Sequence, residues 1–525
     1  MPPALYTPRL YFESATALHT VSIALSGSGG AGVMTAGELL LDAAARAGHF
    51  GTMSRSFGPQ IRGGEAAALL RLGPEPIESP DDAFDLLIAL DWGNIDRFAE
   101  EIPLTAASRV VSEAGEGDLP AVIAAANAHH VPLPLSDTAR SVRGGRANLV
   151  ALGALARAVG IGDEHVDAAI SKRFAERGSR ILEAALASRS AGAELPVGQL
   201  VEALSRPDRG RNAEQRWNLS GNEAAGLGAV RGGVRFCAAY PITPATDLLE
   251  WLADALPRVG GTLVQAEDEL ASVNMCLGAS FGGTPSLTAT SGPGLSLMME
   301  TIGLAVASET PLVVVDVMRG GPSTGIPTKS EQTDLDIAVH GLHGDAPHPV
   351  LAPLDTADGV FTTQWAVHLA ERLQTAVLVL SDQALAQSRA IVEPPPEAGW
   401  AAERVEAAAT TETGYRRYAI TDSGVSPMAR PGTQGTIYTA EGLEHDAGGR
   451  PSTRPADHVA QLDKRRLKII DHDFGEAWAE IEGEAESELA VITWGSSTRP
   501  VREAVERLGR EGVAVRLIAL RLLWP

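Results

Sequence analysis

Cysteine is almost missing from this sequence, with two residues, Cys237 and Cys276, in a chain of 525. Two thiols exclude a disulfide framework and fall short of the four thiolates that an iron–sulfur cluster normally takes from protein. Basic residues are also in deficit, 43 Lys and Arg against 66 Asp and Glu, giving a formal net charge of -23. A field of that sign repels nucleic-acid phosphates and an anionic membrane surface, which argues against non-specific polyanion binding. Long apolar runs are lacking too. No uncharged stretch reaches bilayer-spanning length, and Met1 to Thr20 has no basic segment leading into an apolar one, with Glu13 interrupting it. The expectation is a protein neither anchored nor exported, placed in the reducing cytoplasm that suits two unpaired thiols.

What is present is ordinary for a globular protein: 44% hydrophobic and 21% charged residues, with 55 glycines. The length is several times what one core organises, so several domains are expected. VSIALSGSGGAGV from Val21 predicts a strand, a tight turn and then a helix from Met34 to Ala47. FDLLIALDW (Phe84 to Trp92) and Arg109 to Ser112 continue this α/β pattern, and a helix is expected from Asn148 to Val159. These make a domain over 21–190, with a linker over 191–216. A second domain, 217–392, starts at GNEAAGLGAV and has clear strands at Leu287 to Thr290, Pro311 to Met318 and Thr375 to Asp382. Strands alternating with helices predict parallel sheets covered on both faces. Residues 393–463, polar and rich in turn formers, are expected to be an ordered arm. Residues 464–525 read as strand, helix, strand, an α/β domain apparently incomplete at Pro525. No internal repeat or low-complexity tract occurs.

Three turns carry the chemistry. Gly27, Gly29 and Gly32, with Gly30 among them, have the GxGxxG spacing that brings backbone amides and a helix start to a pyrophosphate. A dinucleotide site also needs an acid roughly 20 residues on for the ribose. His49 to Gly64 has none. Arg55 and Arg62 beside glycines suit a more anionic ligand, such as the phosphates of coenzyme A; a turn that merely packs helix on strand is the alternative. Second, Glu269 opens the helix pattern of AEDELASVNMCLGASFGG, and a strand then runs into TSGPG (Thr290 to Gly294). This order resembles the pyrimidine-binding domain of thiamine diphosphate enzymes. There a buried carboxylate on N1′ of the aminopyrimidine shifts its tautomer and so promotes loss of the C2 proton. A capping or solvated acid is the other reading of Glu269. Third, YPITPAT holds Thr243 between two prolines, and Arg319 follows the strand PLVVVDVM, from which a guanidinium can grip a carboxylate bidentately. A plain turn and a surface arginine remain open. His340, His343 and Asp345 in a glycine-rich segment make a poor metal site.

Together GNEAAGLGAV, YPITPAT, AEDELAS, TATSGPGLSLMMETIGLA, MRGGPSTGIPTKSEQTDL and HGDAPHPVLAP resemble the α subunit of 2-oxoacid:ferredoxin oxidoreductases. SFGPQIRGGEA and the glycine turn before it are similar to the γ domain of that family, here fused in front. SGVSPMARPGTQG, TAEGLEHDAGGRPS and KRRLK extend the likeness to nearly the whole chain. The fused arrangement and the GPSTG and HGD segments look most like 2-oxoglutarate:ferredoxin oxidoreductases, with pyruvate and branched-chain 2-oxo acids as other substrates.

The resemblance implies Glu269 as the thiamine-activating glutamate, Thr243 as a substrate contact and Arg319 as the grip on the substrate carboxylate. It associates the γ domain, with Gly27, Gly29, Gly30, Gly32 and Arg62, with coenzyme A, and implies a C-terminal transketolase-C-like α/β domain. Neither a GDG motif for diphosphate and Mg²⁺ nor a CxxC motif is found. A β subunit is therefore expected to supply diphosphate binding, Mg²⁺ and a [4Fe–4S] cluster, in an (αβ)2 assembly that reduces ferredoxin. An acetolactate synthase-like component and a non-catalytic CoA- or nucleotide-binding subunit are the competing readings.

Overall fold

The structure, a computed structural model, describes residues 20–57, 64–93, 95–115, 117–204, 216–326, 328–410 and 414–525. Two compact units divide the chain. One takes residues up to Leu219 together with Ser388–Pro394, the other Ser220–Gln387 together with Pro395–Pro525.

The first unit is built on an eight-stranded sheet. Its strands are β1 (Val21–Ser28), β2 (Phe50–Phe57), β3 (Glu65–Gly73), β4 (Leu86–Ala89), β5 (Arg109–Glu113), β6 (His129–Leu133), β7 (Trp217–Ser220) and β14 (Arg389–Val392). They lie in the order β6-β5-β4-β1-β3-β2-β14-β7. β1, β4, β5 and β6 run parallel, as the alternation of strands and helices predicts. β3 does not: it pairs antiparallel with both β1 and β2. The reason is chain length, because the link from Phe57 to Glu65 is too short for the crossover that a parallel pair needs. An all-parallel sheet is thus corrected to a mixed one. β14 pairs with β2, so Arg389–Val392 belongs to this unit's sheet and not to the domain expected over 217–392. The expected linker also holds a helix, Gly198–Ala203. Val21, Ile23 and Leu25 pack under the helices Val33–Arg46 and Ala147–Val159, while Ala24 faces a second cluster with Leu87, Phe98 and Ile123.

In the second unit β8 (Phe236–Ala239), β9 (Thr262–Gln265), β10 (Ser286–Thr290), β11 (Leu312–Met318), β12 (Val350–Leu351), β13 (Ala376–Asp382) and β18 (Leu522–Trp524) form a sheet ordered β18-β12-β13-β11-β10-β8-β9. Every pair is parallel except β12 with β18. β11 is buried along its whole length, Val313, Val315 and Val317 facing one core and Leu312, Val314 and Met318 the other. That is why it reads as an apolar run, broken only by Asp316. Ser220 and Glu223 form a reciprocal capping box that starts the helix Gly221–Gly232. Its neighbour Asn222 donates to the Pro244 carbonyl at 2.9 Å and so holds the YPITP turn.

The C-terminal strands β15 (Ala479–Glu482), β16 (Leu489–Trp494) and β17 (Val515–Leu520) make a small sheet ordered β15-β17-β16, with the helix Thr498–Arg510 crossing from β16 to its parallel partner β17. The last strand differs from expectation, since β17 and β18 are separate and lie in different sheets. The helix Pro455–Ile470 likewise begins inside the span assigned to the arm. Among the described residues no helix is long and apolar enough to cross a membrane.

Candidate active site

Glu269 begins the helix Glu269–Phe281 at the carboxyl edge of the second unit's sheet. Asp268 caps that helix by accepting from the Ala271 amide at 2.7 Å. Asp268, not Glu269, is therefore the capping acid. Glu269 is 7% exposed, and its carboxylate has no hydrogen bond or ion pair among the described residues. The TSGPG turn is shaped around it. A Cβ on Gly294 would stand 2.7 Å from Glu269 Cγ and 2.9 Å from Oε1, and nearer still to Thr290 Oγ1. Only glycine lets the helix Gly292–Ala307 start this close to the glutamate. The residue is buried while its carboxylate is taken by no protein donor among the described residues, so it offers a free acceptor to a ligand nitrogen that carries a proton. The thiamine pyrimidine is a group of that kind, so the residues present fit it.

Thr243 and Arg319, far apart in sequence, meet at the same edge: Arg319 Nη1 donates to the Thr243 carbonyl at 2.6 Å. The Thr243 side chain is exposed, whereas Arg319 is half-buried with Nε lacking an acceptor among the described residues. The guanidinium is thus anchored on one nitrogen and has donors left for a carboxylate.

Sequence reasoning missed two acids here. Asp316, fully buried on β11, is the register partner of Thr290, and Asp334 comes against Gly292 two residues further on. Burial foremost, then the neighbouring Asp334 charge, pushes Asp316 well above the usual carboxylate range, and burial raises Asp334 as well. The one signal was a lone Asp inside PLVVVDVM. Further along, Asp382 at the end of β13 accepts from Ser330 Oγ and Gln332 Nε2, both at 3.3 Å, tying down the segment that follows Arg319.

In the first unit the glycine turn is partly committed to packing. A Cβ on Gly27 would press on Val33, Asp91 and Leu90. Gly29 donates its amide to the Gly64 carbonyl, and Gly32, at φ 89°, caps the helix Val33–Arg46 against Asn148. Gly30 stands open, with nothing within 4 Å of a Cβ. Asp91, unnoticed in the sequence except as part of FDLLIALDW, accepts from the amides of Ser28 and Gly93 and from Ser28 Oγ. What stays available to an anion is the start of the helix, whose first amides have no intrahelical acceptor. Arg62 lies outside the described residues.

Burial raises both thiols, Cys276 to about 12 and Cys237 well above its ordinary value, so neither is a thiolate at neutral pH. His340, His343 and Asp345 are exposed, and among the described residues no three His, Cys, Asp or Glu side chains could hold a metal ion.

Comparison with known proteins agrees with this layout. Residues 227–464 match the family described as pyruvate flavodoxin/ferredoxin oxidoreductase, thiamine diphosphate-binding, and residues 22–195 match pyruvate ferredoxin/flavodoxin oxidoreductase. A thiamine diphosphate-binding domain is therefore present. The α subunit of a 2-oxoacid:ferredoxin oxidoreductase from Saccharolobus solfataricus is 34% identical over 75% of this chain and 63% of its own length. That of 2-oxoacid:ferredoxin oxidoreductase 2 from Aeropyrum pernix is 30% identical over 96% of this chain and 88% of its own. The structure of 2-oxoglutarate:ferredoxin oxidoreductase from Magnetococcus marinus, with 2-oxoglutarate, coenzyme A and succinyl-CoA bound, superposes with a TM-score of 0.87 at 38% identity, covering 97% of this chain and 89% of that one. A buried glutamate seated on a glycine turn, an anchored arginine beside it and this degree of likeness lead to one conclusion: the chain belongs to the 2-oxoacid:ferredoxin oxidoreductases, as an α subunit closely related to the 2-oxoglutarate enzymes.

Proposed function

We propose that this chain, together with a β subunit, carries out the oxidative decarboxylation of a 2-oxo acid, 2-oxoglutarate first among them. Coenzyme A is consumed, acyl-CoA and CO2 are released, and ferredoxin takes the two electrons; the reverse carboxylation uses the same groups. The observation that carries this reading is the buried, unpartnered Glu269 carboxylate enclosed by Gly294 and Thr290. When bound, thiamine diphosphate supplies the nucleophilic carbon that attacks 2-oxo acids. Glu269 holds its pyrimidine nitrogen and manages the proton there. Arg319, kept in place by the Thr243 carbonyl, binds the substrate carboxylate through its remaining donors, with the exposed Thr243 hydroxyl beside it. Gly30 and the amides at the start of the helix Val33–Arg46, with Gly27, Gly29 and Gly32 around them, are assigned to the phosphates of coenzyme A, and Arg62 is assigned the same role from sequence alone.

The absence of a GDG motif from the sequence assigns the diphosphate, Mg²⁺ and a [4Fe–4S] cluster to the β subunit, in an (αβ)2 assembly. Residues 464–525 are read as a transketolase-C-like domain, on the strength of the β16-helix-β17 parallel unit. The cytoplasm is the proposed compartment, in keeping with two free, buried cysteines.

Co-expression with and without the β subunit, followed by assay of purified complex on several 2-oxo acids, tests the proposal. The chain alone is expected to be colourless and inactive, and the complex brown, with its highest kcat/KM on 2-oxoglutarate. Cluster absorbance from the chain alone, or a complex inert toward every 2-oxo acid, would overturn it. Arg319→Ala is expected to raise KM for the 2-oxo acid by about tenfold or more, the scale of one charge-assisted hydrogen bond. Thiamine affinity, read by isothermal titration, should stay near wild type. An equal loss of thiamine affinity would mean that Arg319 supports the fold instead.

A further inference from the structure

Asp316 poses a chemical problem. Both its oxygens are buried and neither has a hydrogen-bond donor among the described residues; Asp334 Oδ2 is in the same state. Both carboxyl groups are set against the same turn, Asp316 opposite Thr290 in register and Asp334 Oδ2 against Gly292, and each alters the other's titration as a hydrogen-bonded neighbour does. Two carboxylates so placed repel, and among the described residues neither Asp316 oxygen nor Asp334 Oδ2 has a donor to offset that. A single proton between them turns repulsion into a short, charge-assisted hydrogen bond.

The place of this pair in the fold gives it a use. Asp316 is the register partner of Thr290, the residue that meets Gly294 beside Glu269, and stands three residues before Arg319. Asp334 precedes the helix Leu335–His340 and comes against Gly292, where a Cβ would be 2.6 Å from Oδ2. The pair thus joins β11 and the start of the Gly292–Ala307 helix to the far end of the segment that Arg319 opens. Three charged groups near the pair face other groups, and Glu331, on the same segment, lies against Gly320. Glu269 faces Gly294, Asp382 accepts from Ser330 and Gln332, and Arg319 donates to Thr243. Thr333 Oγ1, at 3.4 Å from Asp334 Oδ1, is the one polar side chain added to the pair.

We infer that Asp316 and Asp334 share one proton, and that this carboxyl–carboxylate bond is a positioning device holding the Arg319 segment against the glycine turn beside Glu269. Asp316 is the protonated member and donates; Asp334 accepts. The bond survives while the pair keeps its proton and is lost when rising pH removes it, leaving two charges that drive the segment apart. The kinetic part of this inference rests on the function proposed above, whereas the shared proton does not.

Two measurements keep these separate. Difference infrared spectroscopy of the αβ complex should show a protonated-carboxyl band at neutral pH that disappears in Asp316→Asn. That reading stands even if no 2-oxo acid is turned over. Kinetically, Asp316→Ala should raise KM for the 2-oxo acid by about tenfold or more, with a smaller effect on kcat. Asp316→Asn should recover most of the loss, because an amide N–H donates to Asp334 in place of the shared proton. A wild-type rise of KM as increasing pH removes the shared proton should be absent from this variant, since an amide does not titrate. Infrared spectra of wild type and Asp316→Asn that agree in the carboxyl region would overturn the shared proton. A band that is lost, with KM and its pH profile unchanged in both variants, would overturn the positioning role alone.

Discussion

Replacing Glu269 by glutamine is expected to cut turnover of the αβ complex by roughly a hundred- to ten-thousand-fold, the range typical of general acid–base groups. Glutamine keeps the volume that Gly294 and Thr290 enclose, so the fold and the assembly with the β subunit should survive. What it loses is an anionic oxygen. Its amide oxygen still accepts a hydrogen bond but cannot hold charge against a protonated ring nitrogen, and the proton at C2 is then lost slowly. The measurement is C2-proton exchange of bound thiamine in wild-type and variant complexes at one pH, with bound thiamine quantified in both. A variant that binds thiamine normally and exchanges slowly confirms the role. Unchanged exchange would leave Glu269 as a buried acid at a helix start, and the catalytic assignment of this domain would fall.

Glu269 was legible because its signal is local. The acidic helix start, the small-residue helix and the TSGPG turn fall within one short stretch, and the glycine that the fold requires at 294 is visible as a glycine. The strands β1, β4, β11 and β13 were legible for a similar reason, since burial on both faces writes a mostly apolar run into the sequence, and β10, SLTAT, through its β-branched threonines ahead of the glycine turn. Strand direction was not. β3 pairs between β1 and β2 through its own long apolar run, which carries no mark of orientation, and β14 enters the first sheet from well over three hundred residues away. Nor did sequence alone show what each acid faces. Asp316 and Asp334 sit on different elements, and only folding sets both against the turn from Thr290 to Gly292. Asp91 illustrates the same limit. A ribose acid was sought along the chain after the glycine turn, while the carboxylate that does bond to that turn arrives from the end of β4.

The most severe loss of stability is expected from Glu309→Gln. In KRRLK, four basic residues in five, Lys464 and Lys468 are buried with Nζ atoms 2.6 and 3.0 Å from the two oxygens of Glu309. Arg417, also buried, donates to the Glu309 carbonyl at 2.6 Å and to Ser426. One carboxylate thus holds two ammonium groups and faces a guanidinium, fastening the described part of the arm and the helix Pro455–Ile470 to the end of the Gly292–Ala307 helix. Removing that single anion leaves three buried cations facing one another. A loss of about 3–5 kcal/mol follows, the scale for breaking one partner of a buried pair, read as a fall in the denaturation midpoint with early proteolysis between 414 and 454. The sharing of charge also fixes the pH dependence. Glu309 is held well below its ordinary value by Lys468, Lys464 and Arg417, which together outweigh its burial, so its contribution is present above the ordinary carboxylate range and is lost as pH falls through its lowered folded value. Lys468 behaves in the opposite sense. Burial outweighs its share of Glu309 and lowers it from 10.5 to about 8. Its folded pKa lies below its unfolded one, so the unfolded chain binds more protons between those values, and stability should rise as pH increases from 8 toward 10.5. In Lys468→Met this alkaline rise should shrink to the share of Lys464, which burial also lowers, while the acid loss remains. A variant that kept the rise in full would place its origin elsewhere, and a Glu309→Gln midpoint equal to wild type would show that the three cations find water without the arm letting go.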